Sequence, residues 1–452
     1  MEVSGFGRRA LTSCLIAAIL AGCGGSQRPI GAPGTMTPAV SSTQQPTVRL
    51  GTSIGGLSHS SRETVVYAFR GGDDGAGPGG ALFMDARGAI YGITGGGGYV
   101  ACYHGCGTVF KLTPSGSAYK ERILYKFTGG ADGESPDGGL IMDGAGTLYG
   151  TTLGGSSGCP PGCGTIYALT PTKSGYVHNV LYSFKGGSDG YGSYGGLSID
   201  SSGALYGTTA EGGAHNAGTA YKLTPTKSGY EKSTLFSFSP RHDAEPLASL
   251  LLGKRGVLYG TALFSSVFEL TPKSSHYVVR TLHELSGPPD GSLPYANVIT
   301  GPGGAFYGTT YEGGTSHCKY HDGCGTAYEL SPTKSGYGER VFSFANGDGA
   351  YPLTALLLAK DGALYGTTTG GGLKCPGREP TYGCGVAFKL GPAGSGFKET
   401  VLHKFTGGSD GDDPSSPLVA DASGALYGAA GAGGGGLRKC QGGCGIIFKL
   451  AP

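Results

Sequence analysis

The chain has 452 residues, of which 92 are glycine, 26 are proline and none is tryptophan, and only 14% are charged. This composition favours short strands joined by tight turns over helices. The 33 basic and 31 acidic residues nearly cancel, so charge gives no indication of nucleic-acid binding or of a basic membrane-binding surface. A chain of this length can form several domains or one large closed array of repeats.

Residues 1–22 have the layout of a bacterial secretory signal. An arginine pair precedes an apolar run over 10–21, which is too short to span a bilayer as a helix. The segment 20–23, Leu-Ala-Gly-Cys, resembles the lipobox of bacterial lipoproteins, in which the cysteine receives a diacylglyceryl group and cleavage occurs before it. An ordinary signal peptide with a chance cysteine is the alternative. We expect lipidation of Cys23 and export to the cell envelope, at the outer membrane or the cell surface, because glycine rather than aspartate follows the cysteine.

Residues 23–63 are rich in Gly, Pro, Ser, Thr and Gln and show almost no apolar periodicity. Such a composition is typical of a flexible linker. A coil of about 40 residues has an r.m.s. length of roughly 35 Å. The linker would join the lipid at Cys23, which is the predicted contact with the membrane, to the predicted folded domain over 64–452.

Four short phrases recur seven times each over 64–452. In chain order they are a "VLYSF" type, an apolar "GLIMD" type, an "LYG" type and a "GTxYKL" type, each β-branched or aromatic at alternate positions and bounded by turn residues. The "LYG" tyrosines are Tyr91, Tyr149, Tyr206, Tyr259, Tyr307, Tyr365 and Tyr427. Four strands every 50 to 60 residues predict an all-β fold, a seven-bladed β-propeller of four-stranded blades. A β-helix would have a shorter period and no four-part order.

The order of the phrases also predicts how the ring closes. The chain enters the repeats on an outer-strand phrase at 65–69 and leaves on a third-strand phrase at 445–450. The N-terminal strand should therefore complete the last blade beside the C-terminal strand. This pairing would remove two exposed edges that could otherwise pair with other chains.

The phrases resemble those of the tandem-repeat family called GloVer (Gloeobacter/Verrucomicrobia repeat) proteins. The resemblance extends over about 64–452 and rests on the "GGxDGxxP", "LYGTTxxGG" and "GTxFKLTP" phrases, for example at 186–190 and 149–155. It implies a secreted protein carried on one of several kinds of anchor, and it implies no established activity. The unit around Tyr259 departs from the pattern, because its loop between the second and third strands is almost absent.

Twelve cysteines are present; Cys14 lies in the signal and Cys23 is the predicted lipid site. The other ten occur two at a time between the second and third strands of a unit, whereas the units around Tyr206 and Tyr259 have none. Gain or loss in pairs predicts disulfides within each blade rather than zinc sites, since the spacings vary and no second Cys or His pair recurs. The predicted pairs are Cys102 with Cys106, Cys159 with Cys163, Cys318 with Cys324, Cys375 with Cys384, and Cys440 with Cys444.

Strand alternation places the cysteine loops and the "GGxDG" loops on one face, which varies in sequence, and near-identical "TPTKSGY" turns on the other. We expect the varied face to carry recognition. Tyrosines there could contact a carbohydrate or a protein, although several could instead cover loop glycines. The candidates are Tyr99, Tyr103, Tyr191, Tyr194, Tyr311, Tyr320, Tyr351 and Tyr382.

Weaker candidates are the Asp-Gly pairs, such as Asp132-Gly133, and the histidines His104, His317 and His321. The carboxylates could bind calcium, but Asp-Gly favours a tight turn without an ion. The histidines have no acid or nucleophile at a fixed spacing, so we predict neither a metal site nor a catalytic site there. Nucleotide-binding loops, nucleophile elbows and zinc-protease motifs are absent from the sequence.

The sequence therefore predicts a surface lipoprotein, expected to be monomeric, whose propeller is a binding or scaffold module for a carbohydrate or a protein. The alternative is a propeller enzyme, a lyase or hydrolase acting on a polysaccharide or a small ester in the central pit. A purely structural role in the envelope would involve no ligand. No cofactor is expected unless calcium binds the Asp-Gly loops.

Overall fold

The computed structural model describes residues 63–451 except 100, 157, 158, 160, 161, 241–243, 264, 265, 275, 320, 378–381, 436–439 and 441. The predicted signal, the predicted lipid site Cys23 and almost all of the predicted linker lie outside the described residues. The described part contains 29 β-strands, four one-turn 3-10 helices and no α-helix. Within it, no helix is long and apolar enough to cross a membrane. The fold is all-β and propeller-like.

The strands form six hydrogen-bonded sheets within the described ranges. The largest has the order β5-β4-β3-β2-β6-β7-β8-β9 and consists of β2 (Ala76–Met84), β3 (Ile90–Gly96), β4 (Thr108–Ser115), β5 (Ala118–Lys126), β6 (Glu134–Met142), β7 (Leu148–Gly154), β8 (Thr165–Pro171) and β9 (Tyr176–Ser183). Two four-stranded sheets follow in chain order. The first consists of β10 (Ser198–Ile199), β11 (Leu205–Thr209), β12 (Thr219–Thr226) and β13 (Gly229–Ser237). The second consists of β14 (Leu251–Leu252), β15 (Leu258–Ala262), β16 (Ser266–Pro272) and β17 (Tyr277–Glu284).

Two more four-stranded sheets come next. One consists of β18 (Ile299–Thr300), β19 (Phe306–Thr310), β20 (Thr326–Thr333) and β21 (Gly336–Ser343). The other consists of β22 (Leu357–Leu358), β23 (Leu364–Thr368), β24 (Val386–Ala393) and β25 (Gly396–Lys404). The five-stranded sheet contains β26 (Asp412–Pro414), β27 (Val419–Ala420), β28 (Leu426–Ala432), β29 (Ile446–Leu450) and β1 (Glu63–Ala68). The 3-10 turns are Gly72–Asp74, Gly187–Asp189, Lys254–Gly256 and Pro302–Gly304.

Strand lengths differ from the sequence prediction in one respect. The "TPTKSGY" segments are not simple turns, because their ends continue the ladder of the two outer strands. In the β8–β9 hairpin the last pair is Pro171 opposite Tyr176. The apolar strands β10, β14, β18, β22 and β27 have only two residues each, whereas β2 and β6 have nine.

The predicted pairing of the chain ends is confirmed. Strand β1 pairs antiparallel with β29, from Glu63 opposite Leu450 to Ala68 opposite Ile446. Strand β29 pairs on its other side with β28. The two terminal strands therefore satisfy each other's backbone hydrogen bonds and leave no open edge between them.

An aromatic contact joins most groups of four strands to the next, and after β17 Leu285 takes the place of the first ring. Phe127 follows β5 and packs edge-on against Tyr167 of β8, with ring centroids 5.0 Å apart. Edge-on or tilted pairs of this kind contribute about 0.5–1.5 kcal/mol beyond their burial. The same contact recurs with centroid distances from 4.9 to 5.4 Å in Phe69–Phe110, Phe184–Tyr221, Phe238–Phe268, Phe344–Phe388 and Phe405–Phe448.

The glycine of each "LYG" phrase makes room for that aromatic ring. A Cβ on Gly150 would lie 2.4 Å from the hydroxyl oxygen of Tyr167, and one on Gly92 would lie 2.5 Å from Cζ of Phe110. Neither glycine has a left-handed backbone. The glycine is therefore required by packing, and it couples the third phrase of the repeat to the fourth.

The Asp-Gly loops are held by their own side chains. One carboxylate oxygen of Asp132 accepts hydrogen bonds from the backbone N–H of Thr128 and the hydroxyl of Tyr125, both at 2.9 Å. A Cβ on Gly133 would lie 2.4 Å from the hydroxyl oxygen of Thr152. This geometry favours the turn interpretation of the "GGxDG" phrase, since both the aspartate and the glycine have packing roles.

The same loops meet a side chain from the next outer strand, and we call these contacts the outer-strand junctions. His178 stacks on Tyr125 at 4.2 Å, and burial lowers the pKa of His178 to about 4. Lys232 forms a 2.9 Å ion pair with Asp189, and the side chain of Lys232 is almost fully buried. Other junctions place Glu121 near Asp74, Glu339 near His283, Glu399 near Asp348 and Glu63 near His403.

Replacing Gly150 with alanine should destabilise the protein by roughly 1–3 kcal/mol, because the new methyl group displaces the buried ring of Tyr167. Gly144→Ala is the matched control in the same hairpin, since a Cβ there meets no atom within 4 Å. The measurement is urea unfolding of both variants. Equal stability of the two variants would contradict the packing role of Gly150.

Glu399 makes stability depend on pH. Burial and the facing carboxylate of Asp348 raise the pKa of Glu399 from 4.5 to about 8. Because the folded state holds this proton more tightly, the stabilisation present below pH 4.5 is lost as the pH rises through about 8.

Glu399→Gln, which mimics the protonated acid, should therefore raise stability by roughly 2 kcal/mol at about pH 8.5, allowing for solvent screening, and change it little at about pH 5. Glu231→Gln, on an exposed position of an outer strand, is the control. Unfolding curves at the two pH values give the measurement. A gain for Glu399→Gln of the same size at both values would exclude titration of Glu399 as its cause.

Candidate functional site

Five disulfides bridge the loops between the second and third strands of their sheets. They join Cys102 to Cys106, Cys159 to Cys163, Cys318 to Cys324, Cys375 to Cys384, and Cys440 to Cys444, as the sequence predicts. Each bridge closes a short loop within one repeat. Multiple disulfides are stable in oxidising compartments, which indicates an extracellular or exported protein.

Each disulfide loop also contacts the segment that leads to the next group of four strands. A Cβ on Gly129 would lie 2.5 Å from Sγ of Cys102. The N–H of Ser135 donates a hydrogen bond of 2.9 Å to the carbonyl of Cys106. The N–H groups of Tyr351 and Asp413 make the same bond to Cys324 and Cys384. The disulfide loops and the "GGxDG" loops therefore share one face, as predicted, and the bridge fixes the first turn of the following sheet.

The first turn of each group of four strands, which comes at or just before its inner strand, has an unusual backbone in every repeat. The residue at its start has a positive φ, between +50° and +69°. The left-handed region is costly for residues other than glycine, at about 1–3 kcal/mol each. The residues are Gly77, Ser135, Gly192, Glu245, Leu293, Tyr351 and Asp413.

Several aromatic and acidic side chains converge on this face, and we call them the tyrosine–carboxylate cluster. They come from the first turns of consecutive sheets and from the loops after β11, β19 and β23. Each member contacts, or lies in the electrostatic range of, at least one other. The cluster comprises Asp137, Tyr191, Tyr194, Glu211, Glu245, Tyr295, Tyr311, Glu312, His321, Tyr351 and Tyr382.

One half of the cluster is a stack of rings. The hydroxyls of Tyr311 and Tyr382 lie 3.1 Å apart, and the ring of Tyr351 stacks on Tyr382 with a centroid distance of 5.2 Å. His321 packs edge-on against Tyr351 and Tyr311, and its Nδ1 lies 2.7 Å from Oε1 of Glu312. The hydrogen bond to Glu312 and the ring contacts hold the imidazole in one orientation.

The other half is more acidic. Tyr191 donates a hydrogen bond to Glu211, and burial together with this carboxylate raises the pKa of Tyr191 to about 12. Burial and the nearby Glu211 raise the pKa of Glu245. Burial raises the pKa of Asp137 to about 6, although the N–H of Gly138 donates to its carboxylate.

Tyr194 and Tyr295 connect the two halves. Both rings pack against the apolar group that contains Leu247. Burial raises the pKa of Tyr194, and the carboxylates of Glu211, Asp137 and Glu245 raise it further. Burial and then Glu312 raise the pKa of Tyr295 to about 12. Both tyrosines remain partly exposed.

The predicted tyrosines fall into three groups. Tyr99 and Tyr103 are exposed at 54% and 78% in the loop after β3. Tyr191, Tyr194 and Tyr382 are partly exposed members of the cluster. Tyr311 and Tyr351 are buried, so their rings pack in the interior of the cluster. The predicted ligand contact Tyr320 lies outside the described residues.

The three histidines also separate. His104 and His317 are exposed on loops, whereas His321 is partly buried in the cluster. Sequence reasoning missed Tyr295 and the four carboxylates of the cluster. A signal was present, since Glu211 and Glu312 occupy a loop position where other repeats have Gly96, Gly154 or Gly370, and Glu245 aligns with Gly77.

The opposite face has a shallow depression lined by Asp85, Arg87, Tyr91 and Lys111. The Lys111 ammonium lies 4.7 Å from the centroid of the Tyr91 ring. The same lysine-over-tyrosine contact recurs in Lys222–Tyr206, Lys389–Tyr365 and Lys449–Tyr427. A feature repeated in this way belongs to the scaffold, and the tyrosine–carboxylate cluster is the better candidate site.

Family comparison agrees with the repeating architecture. The model of the Gloeobacter/Verrucomicrobia repeat matches residues 54–265 and 263–452. The chain belongs to the Gloeobacter/Verrucomicrobia repeat family. No protein with a curated description matches it significantly.

Several solved structures resemble this member of the Gloeobacter/Verrucomicrobia repeat family. A fungal alcohol oxidase of the AA5 family, solved with copper, is 14% identical with a TM-score of 0.52 over 87% of this chain and 76% of its own. A putative 6-phosphogluconolactonase from Bacteroides uniformis is 12% identical with a TM-score of 0.46 over 72% of this chain and 85% of its own. A protein from Lactobacillus plantarum is 12% identical with a TM-score of 0.45 over 73% and 84%. At these identities the likeness to the oxidase concerns the fold alone.

Proposed function

We propose that the protein is an envelope lipoprotein, anchored through Cys23, whose propeller binds a carbohydrate through the tyrosine–carboxylate cluster. The observation that carries the binding proposal is the pair of partly exposed rings, Tyr194 and Tyr295, flanked by Glu211, Glu245 and Glu312. Flat rings pack on the apolar faces of sugars, and carboxylates accept hydrogen bonds from sugar hydroxyls. A protein ligand is the second outcome of the test.

The propeller would have seven blades of four strands. The eight-stranded sheet consists of two runs, β2–β5 and β6–β9. Only one parallel bridge, Ala81 opposite Gly139, joins the two runs. In the five-stranded sheet, β26 and β27 both pair with β28. These two short strands together take the place of one inner strand, with β1 as the outer strand.

An enzyme acting on a polysaccharide or a small ester is the alternative proposal, and one observation favours it. Two carboxyl groups near Tyr194 have raised pKa values, that of Asp137 at about 6 and that of Glu245 above its ordinary range. A carboxyl group that titrates near neutral pH can act as a general acid. An Asp137→Asn variant that lost turnover of a glycan while still binding it would favour this alternative.

Tyr194→Ala and Tyr295→Ala should each weaken glycan binding about ten-fold or more, because each removes one ring from the site. The measurement is binding of the full-length protein to a glycan array, followed by titration of any glycan that binds, with and without calcium. Tyr103→Ala is the matched control, since that ring is exposed on the same face in the loop after β3. Binding that survives both cluster variants but fails with Tyr103→Ala would move the site to the first disulfide loop, and silence across the array would favour a protein ligand.

Cys23→Ser should shift the protein from the membrane fraction to the soluble periplasmic or extracellular fraction, because stable anchoring needs the acyl chains. Cell fractionation with immunoblotting measures the shift. Cys14→Ser, within the predicted signal, is the control and should leave the distribution unchanged. Membrane retention of Cys23→Ser in a form that has lost its signal would contradict the proposed anchor.

A further inference from the structure

One outer-strand junction brings together a histidine and two carboxylates. His283 lies on β17, Asp290 on the loop that follows it, and Glu339 on β21 of the next sheet. One potential ligand atom from each of the three residues lies within 4.8 Å of the other two. We call this group the His283 junction.

The geometry of the His283 junction fits a small dication. Nε2 of His283 and Oε1 of Glu339 are 3.3 Å apart, and both atoms are shielded from solvent. Two ligands at about 2.0–2.1 Å from a tetrahedral zinc ion are themselves separated by about 3.3 Å. Ser286 donates a 3.0 Å hydrogen bond to Oδ2 of Asp290, which fixes that carboxylate in the loop.

Other outer-strand junctions do not arrange these three donors in the same way. The corresponding positions hold Tyr125, Asp132 and His178 in one junction, where the aspartate is used by its own loop. His403, Asp410 and Glu63 repeat the three residue types in another. There, however, Nε2 of His403 lies 3.1 Å from Oδ2 of Asp410, so the imidazole is turned toward the loop aspartate instead of the glutamate of the next sheet.

The His283 junction also lies where a disulfide is missing. In the disulfide-bearing sheets the bridge packs on the first glycine of the loop that leaves the sheet, as it does on Gly129 and Gly407. The sequence between β15 and β16 contains no cysteine, so the loop after β17, which carries Asp290, has no such support. A metal ion held by His283, Asp290 and Glu339 would tie this loop to the next sheet.

We propose that the His283 junction binds a divalent transition-metal ion, with zinc as the best match, and thereby cross-links the sheets β14–β17 and β18–β21. Zinc binds imidazole nitrogen and carboxylate oxygen atoms, whereas calcium takes six to eight oxygen ligands. Three protein ligands leave a fourth position for solvent. The proposed ion cross-links two sheets, and its site is independent of the proposed glycan site.

The test is equilibrium dialysis of the full-length protein, made without a polyhistidine tag and stripped with a chelator, against zinc chloride, with bound metal measured by mass spectrometry. We expect one zinc equivalent that depends on His283 and a higher Tm when zinc is present. His283→Ala and the conservative Glu339→Gln should lose this equivalent or bind it at least about ten-fold more weakly, since even outer-shell changes cost that much. Neither variant should gain thermal stability from zinc.

Two controls separate this site from others. His104→Ala, which removes an exposed loop histidine, should leave zinc binding unchanged. His403→Ala should also leave the equivalent in place. The proposal is overturned if the parent protein binds no zinc, if His283→Ala and Glu339→Gln bind it as the parent does, if the equivalent is lost in His403→Ala instead, or if calcium competes equally with zinc.

Discussion

The architecture depends on one repeated aromatic contact. A phenylalanine at the end of every outer strand except β17, where Leu285 takes its place, packs against an aromatic residue on the third strand of the following group, as in Phe127 on Tyr167. That second ring can reach the contact only because the neighbouring strand has glycine beneath it, Gly150 in this case. One group cannot bury its own third strand, so the contact forms only when the next group is in place. Strand β1 follows the same pattern, since Phe69 directly after it packs on Phe110. Pairing of β1 with β29 therefore supplies both a missing strand and the missing ring of the series.

The disulfides act locally, and their contribution to global stability is correspondingly small. The chain-entropy model gives only about 2 kcal/mol for closing a loop of about five residues. Their geometric effect is larger, because the carbonyl of the second cysteine accepts a hydrogen bond from a residue at the start of the next group of four strands, as Cys106 does from Ser135 of β6. That first residue has a left-handed backbone in every repeat. The bridge between Cys102 and Cys106 thus positions the turn from which Asp137 projects, whereas the sheet that precedes the turn of Tyr295 contains no cysteine.

Much of the fold could be predicted from the sequence because the repeat fixes the same contacts many times. The strand phrases, the disulfide pairs and the β1–β29 pairing all follow from the order and spacing of recurring residues. The candidate site could be predicted only in part. Tyr191, Tyr194 and Tyr382 were recognised as loop tyrosines, but Tyr351 is 1% exposed, since its backbone turns the ring inward against Tyr382. Tyr295 follows a proline in an apolar segment and resembles a strand residue. Its exposure depends on which neighbours meet at the inner turns, and spacing along one chain does not contain that information.

The residues that break the repeat give the strongest argument for a ligand. Glu211 and Glu312 stand where three other repeats have glycine, and Glu245 stands at a left-handed position that glycine occupies in two repeats. The scaffold does not need these carboxylates, because it is built without them elsewhere in the same chain. They are also unfavourable for folding, since Glu245 combines a strained backbone with a pKa raised by burial and by Glu211. These carboxylates and the strained backbone of Glu245 depart from the repeat, and they lie together beside the partly exposed rings of Tyr194 and Tyr295. Such a concentration of departures is typical of a functional site rather than of a scaffold.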